Sequence, residues 1–146
     1  MRIIAEQGDF DENEIIIRFR EPDDEVLRIL ALLRENTAKT AAEKDGETYM
    51  LEPGSILYAE AVDGRTFIYT SESVLESSMS LSAFHEKYED RGFVRISKSQ
   101  IVSLFHVARF RSLPNSRIQI TLQNEEKLIV SRHYIYALKE KLGISE

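Results

Sequence analysis

The sequence predicts a mainly β protein with a few short helices, which is an α+β fold overall. Three observations support this: apolar and polar residues alternate through most of the chain after residue 47, Asp63-Gly64 is a strong hairpin signal, and the helical patterns are few and short. The length of 146 residues suits one domain with a small extension. We expect an acidic strand and helix extension over residues 1–46 and a β-rich domain over residues 47–146.

The extension is predicted to form two strands and then a helix. Arg2–Ala5 is short and apolar, and Glu14–Arg20 is rich in β-branched residues, as strands are. Pro22 suits the first turn of a helix. Residues 36–45 are predicted to be a linker or loop. An i, i+3, i+4, i+7 spacing predicts one apolar helix face, made by Val26, Ile29, Leu30 and Leu33 and widened by Leu27 and Leu32.

The β-rich domain is predicted to contain short strands joined by tight turns. Asp63-Gly64 and Pro114-Asn115-Ser116 are the clearest turn signals, because their residues tolerate turn conformations. The expected strands are Thr48–Leu51, Ile56–Glu60, Arg65–Thr70, Val107–Arg111, Arg117–Leu122 and Lys127–Val130.

Two helices are predicted in this domain. One covers about Ser82–Asp90 and stops at Gly92, and the other is capped by Ser131 and stops at Gly143. Residues 93–103 are ambiguous, with a short helical turn expected within them. The residues expected to face the core from the two helices are Leu81, Phe84, Tyr88, Ile135, Leu138 and Leu142.

The composition excludes several classes of protein. There is no cysteine, which excludes disulfides, thiolate metal sites and cysteine nucleophiles and suits a reducing compartment. No apolar run approaches the ~20 residues of a membrane span. Met1–Gln7 lacks the basic and long apolar regions of a signal peptide. We therefore expect a cytoplasmic protein.

Charge is distributed unevenly along the chain. The net charge is −6, but residues 1–53 hold 14 acids and 7 bases, whereas residues 91–133 hold eight bases and two acids. A DNA backbone responds to charges within a Debye length of ~8–10 Å rather than to the total charge. Residues 91–133 are therefore either a solvated basic face or a nucleic-acid contact.

The sequence contains no recognisable catalytic or metal motif. His85, His106 and His133 are far apart and form no paired metal spacing. A G-x-S-x-G elbow, a Walker loop and a G-x-G-x-x-G fingerprint are all missing from the sequence. We predict that the protein is not an enzyme and uses no cofactor, metal or small-molecule substrate.

Three blocks of sequence, taken in order, resemble the LytTR family of DNA-binding domains over about residues 47–143. The blocks are Ile56–Thr66, Gly92–Val102 and Lys127–Tyr134. One departure is Ser103, which stands where asparagine is common in the family. The resemblance implies LytTR-type small antiparallel sheets with short helices. It also implies DNA binding by loops in the major groove, to direct-repeat half-sites and often by two protomers.

The front of the chain is similar to that of short stand-alone members of the family. In those members an acidic strand and helix segment replaces the receiver domain of the longer, response-regulator relatives. The likeness implies a transcription regulator that forms a homodimer on double-stranded DNA. It also implies a small co-encoded membrane protein that restrains the regulator.

The resemblance carries DNA-binding roles to three loops. Arg65 and Thr66 are alternatives for one major-groove position, Lys98 stands where the family has Asn or Lys near DNA, and Arg132 matches a base-contacting arginine. Independently, arginine can bond a guanine edge through two hydrogen bonds, and lysine and serine suit phosphates. The predicted DNA-binding residues are Arg65, Thr66, Ser97, Lys98, Ser99, Arg132 and His133.

Other interpretations of the same residues stay open. The position of Arg65 beside a predicted turn is also typical of an exposed hairpin arginine that makes no DNA contact. Arg95 suits an internal ion pair as well as a phosphate contact. Five aromatic residues are expected in the core rather than as a stacking platform for bases, and two on the last helix are expected to pack. The five are Tyr58, Phe67, Tyr69, Phe84 and Phe93, and the two are Tyr134 and Tyr136. The alternative function is a protein-interaction module whose N-terminal helix docks to a membrane-associated regulatory partner.

Overall fold

The computed structural model describes residues 1–143, without the side chains of residues 35–37. Residues 144–146, the end of the predicted β-rich domain, lie outside the described residues. Contacts divide the chain into one unit of residues 1–34 and a second unit formed by the rest. The boundary predicted after residue 46 stays a prediction. No helix within the described range is both long and apolar enough to cross a membrane.

The first unit contains most of helix α1, Asp24–Ala38. The helix starts two residues after Pro22, because the Asp23 carboxylate accepts a hydrogen bond from the backbone N–H of Val26 at 2.8 Å and caps the first turn. Residues 1–23 form neither helix nor strand. The two strands predicted there are wrong, since a strand is stable only beside a hydrogen-bonded neighbour and these residues are almost all exposed.

The apolar face of α1 is narrower than predicted. Val26 is 5% exposed, and the other three residues of the predicted face are half-buried. Leu27 and Leu32 are each 54% exposed. The expectation that these two leucines widen a buried face is therefore wrong for the described chain.

The second unit is built on a seven-stranded antiparallel sheet with the strand order β2-β1-β5-β4-β3-β7-β6. Residues 40–44, predicted to be part of a linker, are strand β1. The linker prediction is wrong because Thr40 and Ala42 are buried and Asp45-Gly46, both at positive φ, forms a hairpin turn. The strands are β1 Thr40–Lys44, β2 Glu47–Leu51, β3 Ile56–Val62, β4 Arg65–Thr70, β5 Val74–Ser77, β6 Phe93–Arg95 and β7 Gln100–Ser103.

The helical turn expected within residues 93–103 is wrong. This segment is the β6–β7 hairpin, and the nearest 3-10 turn follows it at Leu104–His106. The remaining strands form a three-stranded antiparallel sheet in the order β10-β9-β8. They are β8 Val107–Leu113, β9 Arg117–Leu122 and β10 Lys127–Val130.

Helices α2, Leu81–Tyr88, and α3, Ile135–Lys141, cover the sheets. The Ser80 hydroxyl caps α2 by accepting from the N–H of Ala83 at 3.1 Å. The inward residues predicted on α2 are all buried, which confirms that face. Leu138 of α3 is 1% exposed as predicted. Leu142, just after α3, is 38% exposed and Tyr136 on α3 is 74% exposed, so the inward position predicted for Leu142 and the packing predicted for Tyr136 are wrong.

Two hydrophobic cores lie on opposite faces of the large sheet. The first places Phe84 and Tyr88 of α2 against strands β3, β4 and β7. The second fills the space between the large sheet, the small sheet and α3, with Ile120 and Val130 fully buried. The predicted class, mainly β with short helices, is confirmed, because the large sheet is the central layer of the second unit.

Candidate nucleic-acid interface

The β3–β4 hairpin carries the first predicted loop. Asp63 has φ 51° and Gly64 has φ 77°, so both central residues are left-handed, as a type I′ turn requires. This turn places Arg65 directly opposite Val62 at the hairpin end. Thr66 is only 5% exposed and lies opposite Ser77. Of the two residues predicted for this loop, Arg65 is the accessible one.

The guanidinium of Arg65 is held by a carboxylate on the neighbouring strand. Its Nε lies 2.8 Å from Oε1 of Glu76, and the Arg65 side chain is 65% exposed. The same guanidinium lies 6.0 Å from the ring centroid of Phe67. Arg65 therefore reaches solvent while it is paired along the face of the sheet.

The β6–β7 loop carries the second set of predicted residues. Arg95 bonds two backbone carbonyls in it, donating from Nε to Ser97 O at 3.3 Å and from Nη2 to Lys98 O at 2.7 Å. The Ser97 hydroxyl accepts from the N–H of Ser99 at 3.3 Å. These bonds fix the loop and leave the Lys98 side chain exposed at its tip.

Arg95 shapes the β6–β7 loop, a role that the sequence did not identify. The sequence left two roles open for Arg95, an internal ion pair and a phosphate contact. In the structure its partners are instead carbonyl oxygens of its own loop. The signal that could have found it is the loop itself, since a turn of three polar residues leaves carbonyls that an adjacent arginine can bond.

The third predicted loop leads from β10 into α3. Arg132 and His133 are exposed in a 3-10 turn, Arg132–Tyr134, that precedes the helix. The prediction that Ser131 caps this helix is wrong, because its hydroxyl makes no cap bond and donates instead to Ile96 O at 3.4 Å. Within residues 1–143 no acid lies at salt-bridge distance from Arg132.

Two backbone hydrogen bonds bring the three loops to one end of the large sheet. The N–H of Ala61, just before the β3–β4 turn, donates to Ser99 O at 2.8 Å. The N–H of Ser131 donates to Ile96 O at 2.9 Å. The β6–β7 loop is therefore bonded on one side to the β3–β4 hairpin and on the other to the β10–α3 loop.

A further basic residue lies near this end. Arg117 begins β9, and the next residue, Ile118, pairs with Val130 at the end of β10. Arg117 is exposed, and it lies at the same end of the small sheet as Arg132. It was counted in the basic region of the sequence but not singled out, because strand register is needed to place it.

A polar cluster beneath the loops joins three strands. The Glu60 carboxylate accepts from the Tyr69 hydroxyl at 3.0 Å and from Nε2 of Gln100 at 2.8 Å. Burial raises the pKa of Tyr69, and the bond to Glu60 raises it further. Tyr58 stacks on Tyr69 with ring centroids 4.2 Å apart. These two tyrosines are packed as expected.

The histidines have separate surroundings. His85 lies 3.9 Å from the Glu89 carboxylate on the same helix, and Nε2 of His106 lies 2.7 Å from Gly54 O. In the part of the chain that the structure describes, no group of three potential metal ligands is clustered. The histidines therefore offer no shared site.

Comparison with known proteins finds a matching family model and a similar fold. Residues 46–143 match the model of the LytTr DNA-binding domain. The chain is also similar in fold to the solved LytTr DNA-binding domain of a response regulator from Bacillus cereus. That match has a TM-score of 0.70 at 21% identity and covers 73% of this chain and 98% of the other.

Three curated relatives are similar in sequence. The sensory transduction protein LytT of Enterococcus faecalis is 26% identical over 76% of this chain and 49% of its own length. LytR of Staphylococcus saprophyticus is 25% identical, with coverage of 76% and 46%. An uncharacterised HTH-type transcriptional regulator of Staphylococcus aureus is 26% identical, with coverage of 68% and 67%. The chain thus spans about half the length of the first two relatives.

Proposed function

This chain belongs to the LytTr DNA-binding domain family, and we propose on that basis that it is a cytoplasmic, sequence-specific transcription regulator. It reads direct-repeat half-sites of double-stranded DNA with loops placed in the major groove. The observation that carries the proposal is the pair of backbone bonds, from Ala61 to Ser99 and from Ser131 to Ile96, that gathers three loops at one sheet end. The role needs no catalytic step, metal or cofactor.

Each loop has a distinct task in this proposal. Arg132 reads a base edge, because an arginine can donate two hydrogen bonds to guanine O6 and N7. Arg65 reads a neighbouring position, since Thr66 beside it is buried. Lys98 holds a phosphate between them and sets the register of the protein on the duplex. Ser97, Ser99 and His133 line the same surface.

An unbiased selection of bound duplexes tests this function. The protein is mixed with random-sequence duplexes, the bound fraction is amplified, and the cycle is repeated. Recovery of one motif that occurs twice in the same orientation is the expected result. If the recovered sequences share no motif, sequence-specific binding is wrong.

We also propose that residues 1–34 form a homodimer contact. Half of the exposed large hydrophobic residues of the described chain, nine of eighteen, lie in this short segment. Exposed apolar area of this kind commonly marks a protein–protein contact. The exposed large hydrophobic residues of α1 within it are Leu27 and Leu32.

The test of the dimer is its mass in solution. Light scattering of the wild type is expected to give the mass of two chains, and Leu27→Glu is expected to give one chain. Arg28→Gln, at the next exposed position of α1, lowers the charge by the same one unit and is the control. If the wild type is monomeric at all concentrations, the homodimer contact is wrong. The exposed apolar surface of residues 1–34 would then favour contact with a membrane-associated regulatory partner.

A further inference from the structure

The carboxylate of Glu76 engages one edge of the arginine proposed to read DNA. Its Oε1 lies 2.8 Å from Nε of Arg65 and its Oε2 lies 3.4 Å from Nη2. A guanidinium has five N–H donors in a fixed plane. Glu76 therefore occupies the Nε edge of that plane and leaves the Nη1 edge for another acceptor.

A second carboxylate lies beside the first. Glu43 of β1 is directly opposite Glu76 of β5 in the register of the large sheet. Residues directly opposite each other share a face of the sheet, and like charges in such a pair destabilise it. Two acids in this position lower the local potential at a surface proposed to meet a polyanion.

The effect of these acids depends on what approaches Arg65. A phosphate brings a negative charge toward Glu76 and Glu43 and is repelled by them. A guanine edge offers two acceptors that are neutral overall, so it can bond the free edge of Arg65 without that repulsion. The two acids thus oppose a phosphate contact far more than a base contact.

We propose that Glu76 is a specificity-determining residue, which orients Arg65 toward a base edge and suppresses its binding to phosphates. This inference rests on the proposed function, since it takes Arg65 to be a DNA contact. Like-charge repulsion of wrong partners is a common source of specificity in charged interfaces. Glu76 therefore limits binding to non-cognate DNA without contacting any base itself.

Glu76→Gln tests this role, because it removes the charge and keeps the shape. Dissociation constants are measured for a random-sequence duplex and for the duplex recovered by selection. We expect Glu76→Gln to strengthen binding to the random duplex by about three- to tenfold, and to leave binding to the selected duplex unchanged or weaker. The ratio of the constant for the random duplex to that for the selected duplex is expected to fall by at least the same factor.

Glu72→Gln is the matched control, because Glu72 is an exposed acid in the β4–β5 turn and makes no side-chain bond to Arg65. It is expected to change both constants equally and by less than about twofold. Glu76→Asp keeps the charge but shortens the side chain, so it is expected to retain most of the repulsion and reduce the ratio less. Thermal unfolding of each variant shows that it is folded.

The Arg65→Ala background separates orientation of the arginine from simple charge. In that background Glu76→Gln is expected to act no more strongly than Glu72→Gln. An unchanged ratio in Glu76→Gln, or the same fall with and without Arg65, overturns the role of Glu76 while the wild type still selects its site. If the wild type selects no duplex, the proposed function fails and this role fails with it.

Discussion

The β3–β4 hairpin and the β10–α3 loop each present an arginine at the same end of the large sheet, but the two arginines differ in their partners. Arg65 is paired with Glu76 at 2.8 Å, whereas no acid within the described residues pairs with Arg132. Glu76 offsets the charge of Arg65 and occupies its Nε edge, so only the other edge of this guanidinium is open to DNA. The charge of Arg132 is not offset in this way, so the β10–α3 loop is expected to contribute more to binding.

Among these variants, Arg132→Ala is expected to have the largest effect on DNA affinity. Loss of one bidentate arginine–guanine contact costs about 1–3 kcal/mol, so affinity for the selected duplex should fall by about ten- to a hundredfold and the preference over random DNA should vanish. Gel-shift titrations of both duplexes measure this. Lys44→Ala, which removes an exposed positive charge beside the β1–β2 turn, is the charge-matched control. Normal binding by Arg132→Ala would show that this loop is not the base reader.

Arg65→Ala should reduce affinity for the selected duplex less than Arg132→Ala does. This difference directly tests the comparison between the two arginines. The same type of base contact is lost, but little attraction to phosphates is lost with it because Glu76 already offsets the charge of Arg65, so affinity should fall by about three- to thirtyfold. The measurement is a parallel titration of both variants on one duplex. If Arg65→Ala proved the more damaging of the two, the pairing with Glu76 would not be reducing the contribution of Arg65 to affinity.

Arg95→Ala should weaken both regions together, because its two bonds shape the loop that joins them. Hydrogen bonds of this kind contribute about 0.5–1.5 kcal/mol each, and we expect a two- to tenfold loss of affinity with the fold retained. Arg95→Lys keeps the charge but lacks the planar fork that bonds two carbonyls, so it should behave like the alanine variant. Full rescue by lysine would mean that the charge of Arg95 acts on DNA directly.

The difference between the two arginines could not be predicted from the sequence. Alternation and the Asp63-Gly64 turn predicted β3 and β4 well, because those signals are local. The partner of Arg65 depends on β5 lying beside β4, and that pairing is set by the whole sheet. In the same way, the carbonyl partners of Arg95 and the bond from Ser131 to Ile96 join residues whose contact no local pattern encodes.

The misplaced elements have a similar cause. The short segment Thr40–Lys44 is poor in β-branched residues, and its pairing with β2 and β5 makes it a strand. The opposite error occurred at Glu14–Arg20, which is rich in isoleucine and has no strand beside it within the described chain. Strand propensity describes how well a residue fits a sheet that already exists, so it failed in both directions.

Lys98→Ala should have the smallest effect on DNA affinity, and the effect should be the same for the selected and the random duplex. The Lys98 side chain is exposed at the tip of the loop between the two arginines, where a phosphate contact would be independent of sequence. Affinity for the selected and the random duplex should fall by the same factor, and the slope of log affinity against log salt should decrease by about one. Titrations at several salt concentrations measure that slope. A change in preference between the duplexes would mean that Lys98 reads a base, and the middle loop would then join the two arginine loops in specificity.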